Sequence, residues 1–147
     1  MFLPDDSRTP AIDAMTFLWT GQWPANRCPV LSGQKLTVAL ADGSTPAKPG
    51  VFPVGTKLAC AVEVSDPEND PLRITWELRP DVADNPNVGG DWEPSVEPVK
   101  DAVVSIIEGG RQVIMQLPAK PGKYRVFVYA YDGHGNATTA NVPLLTD

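Results

Sequence analysis

The chain has 147 residues with a formal net charge of −6 at pH 7; 42% of the residues are hydrophobic and 20% are charged. This length and composition are typical of one folded domain and exclude a disordered chain. The acidic balance without a basic cluster argues against nucleic acid and anionic membranes as partners, and no apolar run is long enough to predict a transmembrane helix.

The first predicted element is a short helix over residues 10–20, followed by a linker that extends to residue 29. Pro10 suits the first position of a helix, and Gly21 suits its end. The prolines of the next segment favour extended backbone. Because so short a helix is not stable alone in water, we expect its apolar stripe to pack on the sandwich or on a preceding domain. That stripe consists of Ile12, Met15 and Trp19.

From residue 30 onward, alternating apolar and polar residues predict short strands separated by turns. The segment 42–55 is rich in proline and glycine, so we predict a loop there. The predicted strands cover about residues 35–41, 58–64, 72–79, 102–107, 112–117, 123–132 and 137–145. This pattern predicts an all-β fold over residues 30–147, an immunoglobulin-like antiparallel β-sandwich of about seven strands. We expect Trp76 in its core and Tyr124 at one of its corners.

The strand predicted over residues 123–132 has one apolar and one aromatic face, because side chains alternate along a strand. Its outward face carries three rings that need a cover, since large exposed apolar patches usually have a partner. A sugar could stack on these rings, or Trp19 or Trp23 of the same chain, or a catalytic domain, could cover them. The rings are Phe127, Tyr129 and Tyr131, and the polar neighbours expected beside them are Arg73, Thr75, Glu77, Thr139 and Asn141.

Oxygen-bearing side chains gather in two predicted loops that lie at the same end of such a sandwich. Hard oxygen ligands that converge from two loops suit Ca²⁺. The alternative is turn chemistry, in which Asp and Asn side chains bond to their own backbone. The candidate Ca²⁺ ligands are Asp66, Glu68, Asp70, Asp132 and Asn136.

Three further features leave alternatives open. Cys28 and Cys60 could form a disulfide or remain buried free thiols. Trp92 follows two glycines in a polar loop, where it could be an exposed binding ring or could fill an edge of the sandwich. His134 is the single histidine and lies in a glycine turn, and the sequence has no nucleophile motif. We therefore predict that the chain is not an enzyme.

The segments VEVSDPENDPLRITWEL and KPGKYRVFVYAYDGHGNAT resemble the polycystic-kidney-disease-like (PKD-like) group of bacterial immunoglobulin-like domains. The sequence resembles most the accessory domains at the C-terminal end of secreted bacterial glycoside hydrolases. The opening FLWTGQWPANRCPVL resembles the junction between a catalytic domain and such a module, which would place the junction in residues 1–29. The resemblance covers about residues 22–145 and implies an extracellular or periplasmic protein.

We therefore predict a non-catalytic accessory module of a polysaccharide-degrading enzyme. In the first interpretation it binds a polysaccharide or oligosaccharide by stacking on Trp92 and the outward rings, with hydrogen bonds from Arg73, Glu77 and Asn141. In the second it is a spacer or protein-docking domain that braces the catalytic domain of the same parent chain.

Overall fold

The computed structural model describes residues 2–81 and 96–147, with the backbone alone at 34 and 35. Within these residues it contains one α-helix, one short 3-10 turn and eight strands. The elements are α1 (Pro10–Thr20), β1 (Val30–Leu40), β2 (Val51–Phe52), β3 (Lys57–Ser65), β4 (Arg73–Pro80), β5 (Val103–Ile107), the 3-10 turn (Glu108–Gly110), β6 (Gln112–Gln116), β7 (Gly122–Tyr131) and β8 (Ala137–Thr146).

The strands form two four-stranded sheets, in the orders β1-β3-β6-β5 and β2-β8-β7-β4. The predicted all-β, immunoglobulin-like sandwich is confirmed. All neighbouring strands pair antiparallel except β2, which pairs parallel with the end of β8. β2 lies inside the segment 42–55, which was predicted to be a loop. This strand was not predicted, because two residues are too few to show the alternation that marks a strand.

The core lies between the two sheets and is built from the predicted inward faces. Leu58, Cys60, Val62 and Val64 of β3 are all buried, as are alternate residues of β7. Trp76 is buried, and its Nε1 donates a 2.7 Å hydrogen bond to the carbonyl oxygen of Gly110. Tyr124 is also buried, and its hydroxyl donates to the carbonyl oxygen of Lys120 at 3.2 Å. Both aromatic residues therefore lie where they were predicted, with their polar ends bonded.

The helix α1 has the predicted bounds. It ends at Thr20 and is capped by Gly21, whose N–H donates to the carbonyl oxygen of Phe17. The φ of Gly21 is +73°, the left-handed conformation that glycine adopts without strain. The buried residue of the helix is Asp13, and its Oδ2 accepts a 2.6 Å hydrogen bond from the N–H of Cys28. Nowhere in residues 2–81 and 96–147 is there a helix of the length and apolar character that crossing a membrane requires.

Residues 2–9 attach to the sandwich where β7 turns into β8. The N–H of Arg8 donates to the carbonyl oxygen of Gly135, and the carbonyl oxygen of Arg8 accepts from the N–H of Ala137. The N-terminal segment therefore continues the hydrogen bonding of the β7–β8 turn, and this fixes where α1 begins relative to the sandwich.

The two cysteines are free thiols, so the structure does not contain the disulfide that was one of the two alternatives. Cys60 is in the sandwich core, whereas Cys28 lies beside α1, where its thiol donates to the carbonyl oxygen of Arg8. Burial raises the pKa of both thiols to about 12, and the neighbouring Asp13 also acts in this direction on Cys28. Thiols in such surroundings are unreactive at neutral pH.

Candidate functional site

Two loops at one end of the sandwich contain the predicted acidic residues. Asp66 directly follows β3, and Asp132 directly follows β7. We call residues 66–70 the first aspartate turn and residues 132–136 the second aspartate turn.

In both turns, Oδ1 of the leading aspartate accepts from the N–H groups of the third and fifth residues. In the first, Oδ1 of Asp66 accepts from the N–H groups of Glu68 and Asp70, at 2.9 and 3.0 Å. In the second, Oδ1 of Asp132 accepts from the N–H groups of His134 and Asn136, at 2.7 and 3.1 Å. The fourth residue is left-handed in both, with φ of +64° at Asn69 and +83° at Gly135. Each turn is thus closed by its own leading aspartate, which is the turn chemistry that was one of the predictions.

The fifth residue distinguishes the turns. In the second turn it is Asn136, whose Nδ2 donates a 2.5 Å hydrogen bond to Oδ2 of Asp132. In the first turn it is Asp70, which has no side-chain N–H to donate. Oδ2 of Asp66 is buried and accepts no hydrogen bond from any residue in the described part of the chain. We call this atom the open oxygen.

Three of the five predicted Ca²⁺ ligands are close together. One carboxylate oxygen from each of Asp66, Asp70 and Asp132 lies within 4.8 Å of the other two. Asp66 and Asp132 are buried, with 8% and 3% of their surfaces exposed, and Asp70 is partly buried. His134 is at the rim, with Nε2 3.6 Å from Oδ2 of Asp70.

The other two predicted ligands, Glu68 and Asn136, bond to arginine side chains. Glu68 points to the linker, where its carboxylate accepts from the N–H of Arg27 at 3.0 Å and from Nε of Arg27 at 2.9 Å. Both bonds lower the pKa of Glu68, the backbone N–H most. Oδ1 of Asn136 accepts from Nε of Arg8 at 2.8 Å, so this oxygen already has a partner.

The linker joins the two turns through Asn26. Its Nδ2 donates to Oδ2 of Asp70 at 2.6 Å, and its Oδ1 accepts from Nδ2 of Asn136 at 2.5 Å. Sequence reasoning missed Asn26 because it lies about 40 residues before one turn and 110 before the other, and no local pattern marks such a contact.

The predicted aromatic row lies on the outer face of the sheet formed by β4, β7 and β8. Phe127, Tyr129 and Tyr131 are near-parallel and partly buried, with ring centroids 6.2 and 6.4 Å apart. Arginine side chains hold both ends of the row: the guanidinium of Arg73 lies 4.2 Å from the ring centroid of Tyr131, and that of Arg79 lies 6.0 Å from that of Phe127.

The polar neighbours have the predicted strand positions. Phe127 pairs with Glu77 on one side and Asn141 on the other, and Arg73 pairs with Tyr131. Glu77 accepts from Nε of Arg79 at 2.8 Å. Burial and the negative charge of Glu77 raise the pKa of Tyr129 above its ordinary value, so its hydroxyl stays protonated at neutral pH.

The prediction that Trp19 or Trp23 covers the aromatic row is wrong. Trp19 is 77% exposed, and Trp23, which is 50% exposed, stacks on Phe17 at a centroid distance of 4.6 Å. With Leu18, which is also 77% exposed, these residues form an apolar surface that we call the helix–linker patch. Its signal in the sequence is the run Phe17-Leu18-Trp19, because three consecutive residues cannot all face inward from one helix.

Trp92, the isolated candidate for a binding ring, lies outside the described residues.

The chain matches no protein-family model and no curated protein. Among solved structures it is similar to the PmoD soluble domain from Methylocystis sp. ATCC 49242 (Rockwell), at 18% sequence identity and a TM-score of 0.45. The match covers 82% of this chain and 98% of that one. A likeness at this level carries no inference about function.

Proposed function

We propose that this chain is a non-catalytic accessory module of a polysaccharide-degrading enzyme, and that it binds a polysaccharide on the outer face of β4, β7 and β8. The observation that carries the proposal is the aromatic row, which is partly exposed and flanked by polar side chains. The resemblance to PKD-like accessory domains supports the same assignment and an extracellular or periplasmic location.

The row has properties that favour sugar binding. The three rings are near-parallel and partly exposed, and exposed aromatic surface can contact the C–H groups of a pyranose. Arg73 and Arg79 fix the ends of the row, which reduces the entropy that ordering the rings would cost on binding.

The polar groups beside the rings can orient a bound sugar through hydrogen bonds. The hydroxyl of Tyr129 can donate to a sugar. Glu77 already accepts from Arg79, and the amide oxygen of Asn141 already accepts from Nη1 of Arg125 at 2.6 Å, but both groups have further lone pairs that can accept from sugar hydroxyls. A few polar groups among apolar surfaces are typical of sites for small neutral ligands. A glycan that meets this face would therefore have both stacking and hydrogen-bonding partners.

Affinity electrophoresis through gels that contain xylan, xyloglucan, mixed-linkage β-glucan, laminarin or alginate tests this proposal. We expect at least one polysaccharide to retard the chain, and Tyr129→Ala to weaken binding about tenfold or more, as truncation of a central aromatic contact does. The matched control is Ile106→Ala on β5 of the opposite sheet, where Ile106 is 68% exposed. No retardation of the wild-type chain by any of the five, or equal retardation of Tyr129→Ala, would contradict the proposal.

A second candidate function is docking of the catalytic domain of the same parent chain, and the helix–linker patch favours it. Leu18 and Trp19 are each 77% exposed, and contiguous apolar surface of this kind usually marks a protein contact. Acrylamide quenching of tryptophan fluorescence tests this idea. The signal of Trp19 is the difference in fluorescence between wild type and Trp19→Phe, and it is measured both in this chain alone and in the parent enzyme. Docking predicts that the quenchable signal of Trp19 is lost in the parent enzyme, and equal quenching in both would contradict it.

A further inference from the structure

We infer that Asp66, Asp70 and Asp132 form a Ca²⁺ site, in which the cation is the partner of the open oxygen. This inference is independent of the glycan proposal, because none of the three aspartates belongs to the aromatic row or to its predicted polar neighbours. It begins from the difference between the two aspartate turns.

The open oxygen is the first observation that indicates a ligand. Asp66 is 8% exposed, and its Oδ1 is already occupied by two backbone N–H groups. A buried carboxylate oxygen without a partner is costly, because the free energy of its hydration is lost and nothing replaces it. In the second aspartate turn the equivalent oxygen, Oδ2 of Asp132, is satisfied by the asparagine at the fifth position. In the first turn the fifth residue is Asp70, so a partner must come from outside the turn.

The charges around the open oxygen indicate that this partner is a cation. Three carboxylates contribute oxygens within 4.8 Å of one another, and like charges at such distances repel. The guanidinium groups of Arg8 and Arg27 are at this end of the sandwich, but they bond to Asn136 and Glu68. His134 is an exposed group 3.6 Å from Asp70 and is charged only when protonated.

The arrangement of oxygens favours Ca²⁺. Oxygens on opposite sides of a Ca²⁺ ion are about 4.6–5.2 Å apart, so oxygens within 4.8 Å of one another fit one coordination sphere. Ca²⁺ takes six to eight oxygen ligands in a flexible geometry, and turn carbonyls and water can complete the set. Mg²⁺ binds through one or two carboxylates in strict octahedral geometry, which three carboxylates from two separate turns match less well.

A cation at this position would also fasten the linker to the sandwich. Asn26 already bonds to Asp70 in one turn and to Asn136 in the other. A cation that holds the two turns together would therefore fix the linker and, through it, the C-terminal end of α1.

Thermal unfolding of the 147-residue chain in 5 mM CaCl2 and in EGTA tests the inference. A ligand that binds the folded state alone raises stability, so we expect Ca²⁺ to raise Tm by roughly 5 °C or more for a site of about 0.1 mM affinity. The test variant is Asp66→Asn, which keeps Oδ1 for the two turn hydrogen bonds and replaces the open oxygen with an N–H₂ group. We expect this variant to lose the shift.

The matched control is Asp42→Asn. Asp42 closes an exposed turn by accepting from the N–H of Ser44 at 2.9 Å, as Asp66 does in its own turn, so this variant should keep the full Ca²⁺ shift. Asp70→Asn provides a second test variant that should lose it. An unchanged Tm of the wild-type chain in Ca²⁺, a full shift in both test variants, or a larger shift with 5 mM MgCl2 than with CaCl2 would overturn the assignment.

Discussion

At the ends of β3 and β7 the chain forms two turns that are each closed by a leading aspartate. Each turn begins with an aspartate whose Oδ1 accepts two backbone N–H groups, and each has a left-handed fourth residue. The turns differ in the fifth residue, which supplies a donor to the leading carboxylate in one turn and a further negative charge in the other. One turn therefore satisfies its leading carboxylate by itself, whereas the other leaves a carboxylate oxygen without a hydrogen-bond donor from the described residues, and there we propose a cation.

The largest expected effect is that of Asn136→Asp, which gives the second aspartate turn the defect of the first. The change removes the donor to Asp132 and to Asn26 and adds a carboxylate to a buried cluster. We expect the free energy of unfolding in EGTA to fall by about 3 kcal/mol. Urea denaturation measures this, and a loss smaller than about 0.5 kcal/mol, within the range of an ordinary surface substitution, would show that the two turns are not comparable.

The same substitution in the two leading residues should have opposite signs. Asp132→Asn places an amide N–H₂ group against the Nδ2 donor of Asn136, so we expect a loss of about 1–2 kcal/mol. Asp66→Asn replaces the open oxygen with a donor that faces carboxylates, so we expect a gain of about 1 kcal/mol in EGTA. Urea denaturation of both variants in EGTA is the measurement, and a change of equal sign in both would refute the comparison.

Asp70→Asn should repair the first aspartate turn. Its oxygen can still accept from Asn26, and its Nδ2 can donate to the open oxygen as Asn136 does to Asp132. We expect Tm in EGTA to rise by about 2–4 °C, which corresponds to one hydrogen bond of about 1 kcal/mol in a domain of this size. If Tm falls instead, the fifth residue does not decide the state of the turn.

The smallest effect is expected for Glu68→Gln, because Glu68 belongs to the first turn but bonds to the linker. The N–H and guanidinium of Arg27 hold the pKa of Glu68 below its ordinary value. This bond therefore stabilises the fold above the ordinary pKa of glutamate, and its contribution is lost as pH falls through the lowered pKa.

For such a surface pair we expect a loss of roughly 0.5 kcal/mol at pH 7, and this difference from wild type should shrink as pH falls through the lowered pKa of Glu68. Urea denaturation of both chains over a series of acidic pH values measures this. The Ca²⁺ shift should remain in Glu68→Gln, and its disappearance would make Glu68 a ligand after all.

The sandwich could be predicted from the sequence because apolar and polar residues alternate along a strand that has one buried face and one exposed face. The inward faces of β3 and β7, the core position of Trp76 and the corner position of Tyr124 all follow from this rule. That the two acidic loops lie at one end followed from the topology of such sandwiches. The similarity of the turns could also have been read from the sequence, since both have aspartate at the first and aspartate or asparagine at the fifth position.

Other features could not be predicted because they depend on distant partners. Arg8 bonds to Asn136 across 128 residues, and no local sequence pattern marks this contact. Periodicity shows which side of a helix is apolar, but it does not show what covers that side. The exposure of Trp19 was missed for this reason.

Calorimetric titration of CaCl2 into the chelator-treated chain counts the ions bound and so tests the Ca²⁺ site itself. We expect one Ca²⁺ per wild-type chain and none for Asp66→Asn. Two results would contradict the proposal that the open oxygen is a Ca²⁺ ligand. One is a wild-type chain that binds no Ca²⁺, and the other is an Asp66→Asn variant that binds one Ca²⁺ with unchanged affinity.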